Sequence, residues 1–362
     1  MKGDGKMVAA FKIGEKMVGE QERPYFIADI AANHDGDMHR AFKLIELAKE
    51  AGADAAKFQN FKANLIVSKK GFESIGHQLS HQASWKKSVF EVYQDASLSD
   101  DWSHLLAEKC EEVGIEYMTS PYDFASVDLA NNFVNAFKIG SGDITWTDIL
   151  EYIASKSKPV LLATGASELQ DIDRAVEIIR KNKTNYALLQ CNTNYTGSRD
   201  NLKYINLNVL RLYRERYPDA VLGLSDHTYG DVTVLGAISL GARVIEKHFT
   251  DDNSRTGPDH AFSMVPDSWR KMVDRSLELY DALGDGQKKI ERNEQESVVI
   301  QRRAIYLTRD MKAGEIITTK DIFPVRPIPS DGIPPYRASD IVGRRLKQDV
   351  VRDSYLREED LT

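Results

Sequence analysis

Two histidines follow short apolar runs in the second half of the chain and are the first candidates for chemistry. His227 lies in GLSDHT and His248 in IEKHF, and each has a carboxylate close before it, Asp226 and Glu246. Two imidazoles held by neighbouring strands can bind one divalent metal ion and leave positions open for substrate and water, as Lewis-acid catalysis requires. The alternative is a pair of satisfied core histidines, with the carboxylates as orienting groups or members of unrelated ion pairs. We favour the metal site.

Two lysines interrupt apolar runs earlier in the chain, Lys57 in DAAKFQ and Lys138 in AFKIGSG. A buried ammonium group is costly unless it is paired or binds an anion. Snorkelling or internal ion pairs would explain both lysines without a function. Hydroxyl groups follow several other apolar runs, namely Thr119, Ser141, Thr164, Thr193 and Ser225. Together these groups predict a pocket for a phosphate or a carboxylate.

Two aspartates complete the set of candidates. Asp29 lies within the apolar run YFIADIAA, where a carboxylate requires a partner, so it could be a general base or an acceptor for a sugar hydroxyl. Asp259 follows a Gly257-Pro258 turn, which would fix its approach to a site. The preceding charged loop, DDNSR, could equally be solvated.

The elements that must position these groups form a regular alternation. From residue 25 onward, short β-rich runs alternate with amphipathic helical patterns, which favours a parallel sheet with crossover helices. Eight such units over about 240 residues predict a closed (β/α)8 TIM barrel. The predicted strands are Tyr25 to Ala31, Ala53 to Phe58, Glu116 to Thr119, Ala136 to Ile139, Val160 to Ala163, Tyr186 to Gln190, Val221 to Leu224 and Val244 to Lys247.

In such a barrel the loops after the strands converge on one face, where active sites lie. The candidate groups lie near the ends of predicted strands or in the segments that follow them, so we expect them to meet there. The insert after the second strand, residues 60–98, contains His77 and His81 and is long enough to act as a lid.

The two ends of the chain differ from the predicted barrel in composition and residue pattern. Residues 1–24 contain FKIGEKMVGE and are predicted to form a hairpin extension, and residues 25–284 the barrel. Residues 285–300 are polar and predicted to be a linker. Residues 301–362, with short strands broken by Gly, Pro and Asp, are predicted to form a small, mostly β domain.

Composition excludes several classes of protein. The 362 residues are 42% hydrophobic and 28% charged, which is ordinary for a globular protein. A formal net charge of −7 gives no basic face for nucleic acid. No apolar run approaches membrane-spanning length, the start lacks a secretory pattern, and the two cysteines suggest reduced thiols, so we expect a cytoplasmic protein.

Several motifs resemble, in order and spacing, those of the sialic acid synthase family. They are FIADIAANHDGDMHRAFKLIELAKEAGADAAKFQNF, FKIGSGDI, KPVLLATGAS, GLSDHTYG and IEKHFTDDNSRTGPDHAFSMVPD. The segment from Arg302 resembles the antifreeze-like (SAF) domain of that family, so the resemblance covers nearly the whole chain.

The resemblance implies a condensation of phosphoenolpyruvate with the open-chain form of an N-acylhexosamine such as N-acetylmannosamine. The products are a nine-carbon 2-keto sugar acid and phosphate. It implies a divalent metal ion held by His227 and His248, with Mn²⁺ expected and Mg²⁺ or Co²⁺ as alternatives. It also implies catalytic carboxylates at Asp29, Asp143 and Asp259, and substrate contacts from Lys57, Gln59, Thr119, Lys138, Ser141, Thr193, Tyr195 and Ser225.

The resemblance further implies a domain-swapped homodimer, in which Arg326 of FPVRPI reaches the site of the partner subunit. The family usually has Glu where this chain has Asp29 and Asp143, and often Ser where it has Ala163. Each shorter carboxylate reaches roughly 1.5 Å less far. We therefore expect either a compensating backbone or a different sugar.

Three alternatives to an N-acetylmannosamine-dependent synthase remain open at this stage. One is a legionaminic or pseudaminic acid synthase that uses a 2,4-diacetamido-trideoxyhexose. Another is a lyase or aldolase in which Lys57 or Lys138 forms a Schiff base. The last is a non-catalytic, glycan-binding protein with a silent barrel.

Overall fold

The computed structural model describes residues 9–78, 82–83 and 85–362. Residues 1–8 of the predicted N-terminal extension and His81 of the predicted lid lie outside these ranges. The chain divides into two compact units, one ending at Gly284 and one spanning Asp285–Thr362. Within the described ranges, no helix combines the length and the apolar character needed to cross a membrane.

The first unit begins with a small antiparallel hairpin of β1 (Ala10–Ile13) and β2 (Lys16–Gly19). Its turn uses Gly14 at φ 55°, in the left-handed region that glycine tolerates. Side chains of both strands are buried in the apolar cluster at the N-terminal ends of the barrel strands. The hairpin therefore closes that end of the barrel.

Eight parallel strands then close into a barrel. The strands are β3 (Tyr25–Asp29), β4 (Ala55–Asn60), β5 (Glu116–Pro121), β6 (Phe137–Ile139), β7 (Val160–Ala163), β8 (Tyr186–Cys191), β9 (Val221–Asp226) and β10 (Val244–His248). β10 pairs with both β9 and β3, which completes the ring. The predicted TIM barrel is confirmed.

Helices surround the barrel, and their apolar faces cover the outer faces of the strands. In the helix α8 (Leu169–Lys181), for example, the buried residues Ile172, Ala175, Val176 and Ile179 follow the three-to-four spacing of one helix face. Among the described residues, eight helices surround the ring and three belong to the insert. They are α1 (Met38–Glu50), the insert helices α2 (Ala63–Ile66), α3 (Lys69–Ile75) and α4 (Val89–Ala96), then α5 (Asp100–Val113), α6 (Phe124–Ala130), α7 (Thr147–Ser155), α8 (Leu169–Lys181), α9 (Val209–Arg216), α10 (Val232–Ser239) and α11 (Pro266–Leu283).

The second unit contains α12 (Gln295–Gln301), an antiparallel pair of β11 (Ala304–Leu307) and β12 (Ile322–Val325), and α13 (Ala338–Ile341). It has its own apolar core, and isolated bridges join its loops. This agrees with the predicted small, mostly β domain. The predicted linker differs, because α12 occupies residues 295–300 of it, where the apolar run VVI follows the charged segment.

Gly223 of β9 lies where the barrel interior has no room for a side chain. A Cβ atom there would come within 2.6 Å of the carbonyl oxygen of Val244 and 2.8 Å of Cγ of Leu189. The carbonyl belongs to the neighbouring strand and cannot move without disturbing the ladder. Glycine is therefore required by packing at this position.

We expect Gly223→Ala to lower the free energy of unfolding by about 1–3 kcal/mol, because overpacking strains the barrel. Urea denaturation measures this change. Gly142→Ala is the matched control, since a Cβ atom there meets nothing within 4 Å. Equal stability of the two variants would contradict the prediction.

Candidate active site

Alternation along the strands produces the site. Every second side chain of a barrel strand points inward, and the lower inward positions are apolar, including Ile27, Ala55, Met118, Ala136 and Val244. Two residues further along each strand, the inward side chains change in character. They are Asp29, Lys57, Ser120, Lys138 and Glu246, and all are buried. A layer of charge thus lies directly above an apolar plug.

A cavity of about 370 Å³ opens above this layer, at the C-terminal ends of the strands. Its size and position match the usual small-molecule site of a TIM barrel. Eleven of the predicted site residues line it: Asp29, Lys57, Gln59, Lys138, Ser141, Asp143, Tyr195, Ser225, His227, His248 and Asp259.

The two buried lysines are both paired with buried carboxylates. Lys57 Nζ lies 2.8 Å from Asp29 Oδ2, and Lys138 Nζ lies 3.2 Å from Glu246 Oε1. Ser225 Oγ donates a hydrogen bond to the same oxygen of Glu246, at 3.1 Å. The lysines are therefore internal ion pairs and cavity residues at once, so the two explanations open at the sequence level are not exclusive.

These pairings fix the charges of the layer. Burial alone would lower the pKa of Lys57, but the carboxylates of Asp29 and Glu246 outweigh it and raise that pKa. Burial would raise the pKa of Glu246, but Lys138 and Lys57 lower it to about 2. Near neutral pH the layer therefore presents an ammonium at Lys57 and a carboxylate at Glu246.

The two histidines face each other, with ring centroids 5.3 Å apart. Burial, together with His248, lowers the pKa of His227 to about 3, and burial with the charge of Lys57 lowers that of His248 to about 3. Both rings are therefore neutral at physiological pH, the form that ligates metal ions.

The hydrogen bonds of the two rings leave nitrogens available. His227 Nδ1 lies 3.0 Å from the carbonyl oxygen of Asn192, so it carries the proton and Nε2 holds the lone pair. His248 Nε2 lies 3.5 Å from Asp29 Oδ2, while its buried Nδ1 has no hydrogen-bond partner. Among the described residues, no group of three or more His, Cys, Asp or Glu is placed to hold a metal ion. What these residues offer to an ion is therefore two neutral imidazoles, each with a nitrogen outside the hydrogen bonds described above.

Two further carboxylates of the cavity have raised pKa values. Burial, followed by the charge of Asp29, raises the pKa of Asp259 to about 7. Burial raises the pKa of Asp143 to about 6, against the opposing charge of Lys138. Groups that titrate near neutral pH inside a cavity are candidates for proton transfer.

The loop that carries Asp259 is held by the loop after β3. Asn33 Nδ2 donates to the carbonyl of Phe249 and to Ser263 Oγ, both at 2.9 Å. His260 bridges Thr250 Oγ1 at 2.7 Å and Asp35 Oδ1 at 2.9 Å. Asp259 itself accepts a hydrogen bond from the backbone N–H of Ala32 at 3.3 Å. The stretch Asn33-His34-Asp35 therefore anchors the loop that carries Asp259.

One predicted residue is misplaced and must be corrected. Thr119 points away from the cavity and donates to Asn60 Oδ1 at 2.6 Å on the outer face of the barrel. The next residue, Ser120, points inward and lines the cavity. The prediction was wrong by one residue, and a shift of one residue along a strand reverses the face.

Two other predicted residues do not line the cavity of the barrel unit. Thr193 is half-buried beside it, and a Cβ atom on Gly165 would lie 2.6 Å from its Cγ2 and 2.9 Å from Ser141 Oγ. Arg326 belongs to the second unit and is exposed there. Its role in a swapped dimer stays a prediction.

The site also contains residues that the sequence reasoning missed or left unassigned. Glu246 is the partner of Lys138 and was weighed only as a flanking carboxylate. Its inward position could have been inferred from its phase, two residues before His248. The aromatic and aliphatic residues of the insert that line the cavity carry no such signal, because only the tertiary packing of the insert brings them there.

The fold and the site define a (β/α)8-barrel protein with a buried, charged cavity at the C-terminal ends of its strands. The chain belongs to the NeuB family, which it matches over residues 44–288, and residues 302–362 match the SAF domain. The predicted family membership is confirmed.

Relatives are similar along almost their whole length. The chain is 36% identical over 343 residues to the N,N'-diacetyllegionaminic acid synthase of Legionella pneumophila, covering 93% of this chain and 94% of the relative. It is 30% identical over 346 residues to human N-acetylneuraminate-9-phosphate synthase, covering 95% and 94%. The crystal structure of an N-acetylneuraminic acid synthetase from Leptospira borgpetersenii is similar at 26% identity and a TM-score of 0.72, covering 80% of this chain and 95% of that one.

A third buried ion pair lies behind the two histidines. Lys247 Nζ is 2.6 Å from Asp226 Oδ2, and the two residues are cross-strand partners directly before His248 and His227. Thr233 of α10 donates to the same carboxylate oxygen at 2.7 Å. The pair therefore joins β9, β10 and α10 at the base of both imidazoles.

We expect Lys247→Met to lower the free energy of unfolding by about 3–5 kcal/mol, because it leaves the buried carboxylate of Asp226 uncompensated. Chemical denaturation measures the loss. The double variant Lys247→Met, Asp226→Leu should lose less than the single one. Lys181→Met is the surface control, since its pair with Glu151 is exposed and should change stability by less than about 1 kcal/mol. A loss in Lys247→Met no larger than in that control would refute the argument.

Proposed function

We propose that this protein condenses phosphoenolpyruvate with the open-chain form of an N-acylhexosamine. C3 of the enol bonds to the aldehyde carbon, water adds at C2, and the bond between C2 and the phosphate oxygen breaks. The products are a nine-carbon 2-keto sugar acid and inorganic phosphate. The observation that carries this proposal is one cavity holding two buried lysines, three inward serines and a neutral histidine pair.

The lysine end of the cavity suits phosphoenolpyruvate. Lys57 and Lys138 offer ammonium groups for its phosphate and carboxylate, and Ser120, Ser141 and Ser225 offer hydroxyl donors beside them. Each lysine already has a carboxylate partner, so the pocket is charge-balanced when empty and can bind an anion through the remaining N–H donors.

The same pairing argues against the Schiff-base alternative. A lysine nucleophile must be neutral to attack a carbonyl, which requires a lowered pKa. The carboxylates around Lys57 raise its pKa instead. A non-catalytic barrel is the other alternative, and it gives no reason for carboxyl groups that titrate near neutral pH in the cavity.

His227 and His248 would hold the divalent metal ion, for which Mn²⁺ is our first expectation and Mg²⁺ or Co²⁺ are alternatives. When bound, such an ion supplies Lewis acidity to the aldehyde oxygen. The protein contributes neutral imidazoles, fixed by Asn192 on one ring and by the strand position of the other. Asp29 lies between Lys57 and His248 and so couples the anion end of the cavity to the metal end.

Proton transfer falls to Asp259. Its carboxylate, present above a pKa of about 7, can accept the proton of the water that adds to C2. The backbone N–H of Ala32 orients the carboxylate. Asp29 is engaged by Lys57, which leaves Asp259 as the better base.

The acceptor sugar and the quaternary structure are the finer parts of the proposal. N-acetylmannosamine and a 2,4-diacetamido-trideoxyhexose are both compatible with an open-chain aldehyde. Two relatives, 36% and 35% identical, are N,N'-diacetyllegionaminic acid synthases, which supports the second acceptor. A swapped homodimer would add Arg326 to the site of the partner subunit, in the cytoplasm where we expect the protein to act.

Removal of divalent metal should abolish phosphate release from phosphoenolpyruvate in the presence of an N-acyl sugar, and Mn²⁺ should restore it. His227→Ala or His248→Ala should lower kcat/KM at least about 100-fold, the equivalent of roughly 2.7 kcal/mol of transition-state stabilisation. His104→Ala, in an exposed helix position, is the control and should change neither rate nor metal binding. Full activity after exhaustive chelation would reject the metal-dependent reaction.

The pH profile of kcat/KM should show an acidic limb near pH 7. Protonation of Asp259 below its pKa of about 7 removes the base, so the rate falls as pH is lowered. The histidines, with pKa values of about 3, contribute no limb in this range. Asp259→Asn should remove the limb and lower the rate by about 10²–10⁴-fold. Asp143→Asn is the comparison, and persistence of the limb in Asp259→Asn with its loss in Asp143→Asn would assign it to Asp143.

A further inference from the structure

The two histidines of the cavity differ in what orients their rings. His227 Nδ1 lies 3.0 Å from the carbonyl oxygen of Asn192, and this hydrogen bond holds the ring. His248 Nε2 lies 3.5 Å from Asp29 Oδ2, which is longer than a normal hydrogen bond. Its buried Nδ1 has no hydrogen-bond partner among the described residues. The ring of His248 therefore lacks the kind of contact that fixes His227.

This difference matters because an imidazole ring can rotate. His248 is the last residue of β10, so the sheet fixes its backbone. The torsion of a histidine ring about its Cβ–Cγ bond is nevertheless broad and roughly two-fold. Rotation by half a turn exchanges each ring nitrogen with a carbon, so only one of the two orientations presents a nitrogen at a given point. Metal-binding histidines usually donate their other ring N–H to a partner that fixes the ring. Another contact is needed to do this for His248.

Among the described residues, the aromatic ring closest to that of His248 is the ring of Phe262. Their centroids lie 4.8 Å apart at an interplanar angle of 67°, which is a favourable edge-to-face arrangement. The rings of His227 and Tyr195 are more distant from His248, at 5.3 Å and 6.3 Å. Phe262 is buried and does not line the cavity, so its connection to the site is through the imidazole.

Backbone pairing places Phe262 beside His248. The loop after β10 returns to the strand, where the N–H of Met264 donates to the carbonyl of His248 at 2.9 Å and the N–H of Thr250 donates to the carbonyl of Met264 at 3.0 Å. His260, on the other side of Phe262 in the chain, is held by Thr250 Oγ1 at 2.7 Å. Phe262 thus lies two residues from each of two fixed points.

The loop after β8 packs against Phe262 as well. The rings of Tyr195 and Phe262 lie 5.7 Å apart. Gly197 approaches so closely that a Cβ atom on it would lie 3.1 Å from Cβ of Phe262, and its φ of 63° is in the left-handed region that glycine tolerates. Phe262 therefore has little freedom to move away from the imidazole.

We propose that Phe262 is a positioning residue whose ring holds the imidazole of His248 in one orientation, as a hydrogen bond does for His227. This inference rests on the proposed function, in which the two histidines bind the metal ion. The segment that carries Phe262 also carries Asp259, so one loop then positions both a group for proton transfer and a metal ligand.

The first test measures the dissociation constant of Mn²⁺ from the metal-free protein by electron paramagnetic resonance, without turnover. Phe262→Leu keeps an apolar side chain and removes the ring. We expect it to bind Mn²⁺ about 10-fold more weakly, at the lower end of the roughly 10–100-fold that loss of a contact behind a metal-binding histidine costs. Phe249→Leu is the matched control, because Phe249 is buried and follows His248 in the chain, but its ring packs against Trp269 at 5.5 Å. Both variants should lose stability, and only Phe262→Leu should lose affinity.

Each outcome of this titration has a distinct meaning. Equal affinity in the native protein and in Phe262→Leu overturns the inference and leaves the proposed function intact. Equal weakening in Phe262→Leu and Phe249→Leu also overturns it, since a general loosening then explains the loss. A native protein that binds no Mn²⁺ overturns the inference together with the metal-dependent function. Phe262→Met, which retains more of the side-chain volume, replaces the leucine variant if that variant does not fold.

The second test needs no metal ion. NMR of the metal-free protein with ¹⁵N-labelled histidine reports the environments of the ring nitrogens, and the signals missing in His248→Ala identify those of His248. We expect one sharp set of ring signals for His248 in the native protein and in Phe249→Leu, and doubled or broadened signals in Phe262→Leu. His227 should keep a single set in both variants, because its hydrogen bond to Asn192 remains. One sharp set for His248 in Phe262→Leu would refute the positioning role.

Discussion

Four buried ionisable side chains at the centre of the barrel constrain the rest of the structure. Lys57 with Asp29, and Lys138 with Glu246, lie side by side on the inner faces of the strands, away from water. An unpaired charge there would cost several kcal/mol, so each member requires its partner. The apolar side chains below them and the closed ring of strands hold the partners at hydrogen-bonding distance. The barrel thus supports a layer of paired charged side chains in its interior.

The hydrogen-bonding capacity of this layer is satisfied only in part. Asp29 Oδ1, Glu246 Oε2 and His248 Nδ1 are buried without a hydrogen-bond partner among the described residues. Buried polar atoms without partners are rare in folded proteins and usually mark a function. All three belong to residues that line one cavity, so a ligand bound there can satisfy them. These atoms lower the stability of the folded protein, and ligand binding in the cavity can recover that loss.

The shorter carboxylate at position 29 is explained by its neighbours. Asp29 and Lys57 are register partners on adjacent strands, so one methylene is enough for the carboxylate to reach the ammonium group. A longer side chain would extend further toward the cavity. Despite its shorter reach, Asp29 therefore has an ion-pair partner within the layer.

The sequence predicted the features that depend on the repeating pattern of strands and helices. The alternation of eight β-rich runs with helical patterns predicted the barrel, and the expectation that the lysines and histidines meet at one face followed from it. The error at Thr119 came from counting proximity to a strand end without its phase, which would have selected Ser120. The lining role of Ile66 and Tyr93 was beyond reach, because helices of four and eight residues are placed by packing, for which a local pattern carries no information.

The cavity residues that the sequence predicted and those that it missed lie on different structural elements. The buried lysines, their carboxylate partners and the two histidines lie on strands or directly after them, where backbone hydrogen bonds restrict movement and a shift of one residue would reverse the face. Ile66 and Tyr93, which line the same cavity, lie on an insert outside the ring, where a substitution alters one wall without moving a strand. A fold arranged in this way can keep one reaction while its substrate changes, because the strands and the insert pack separately.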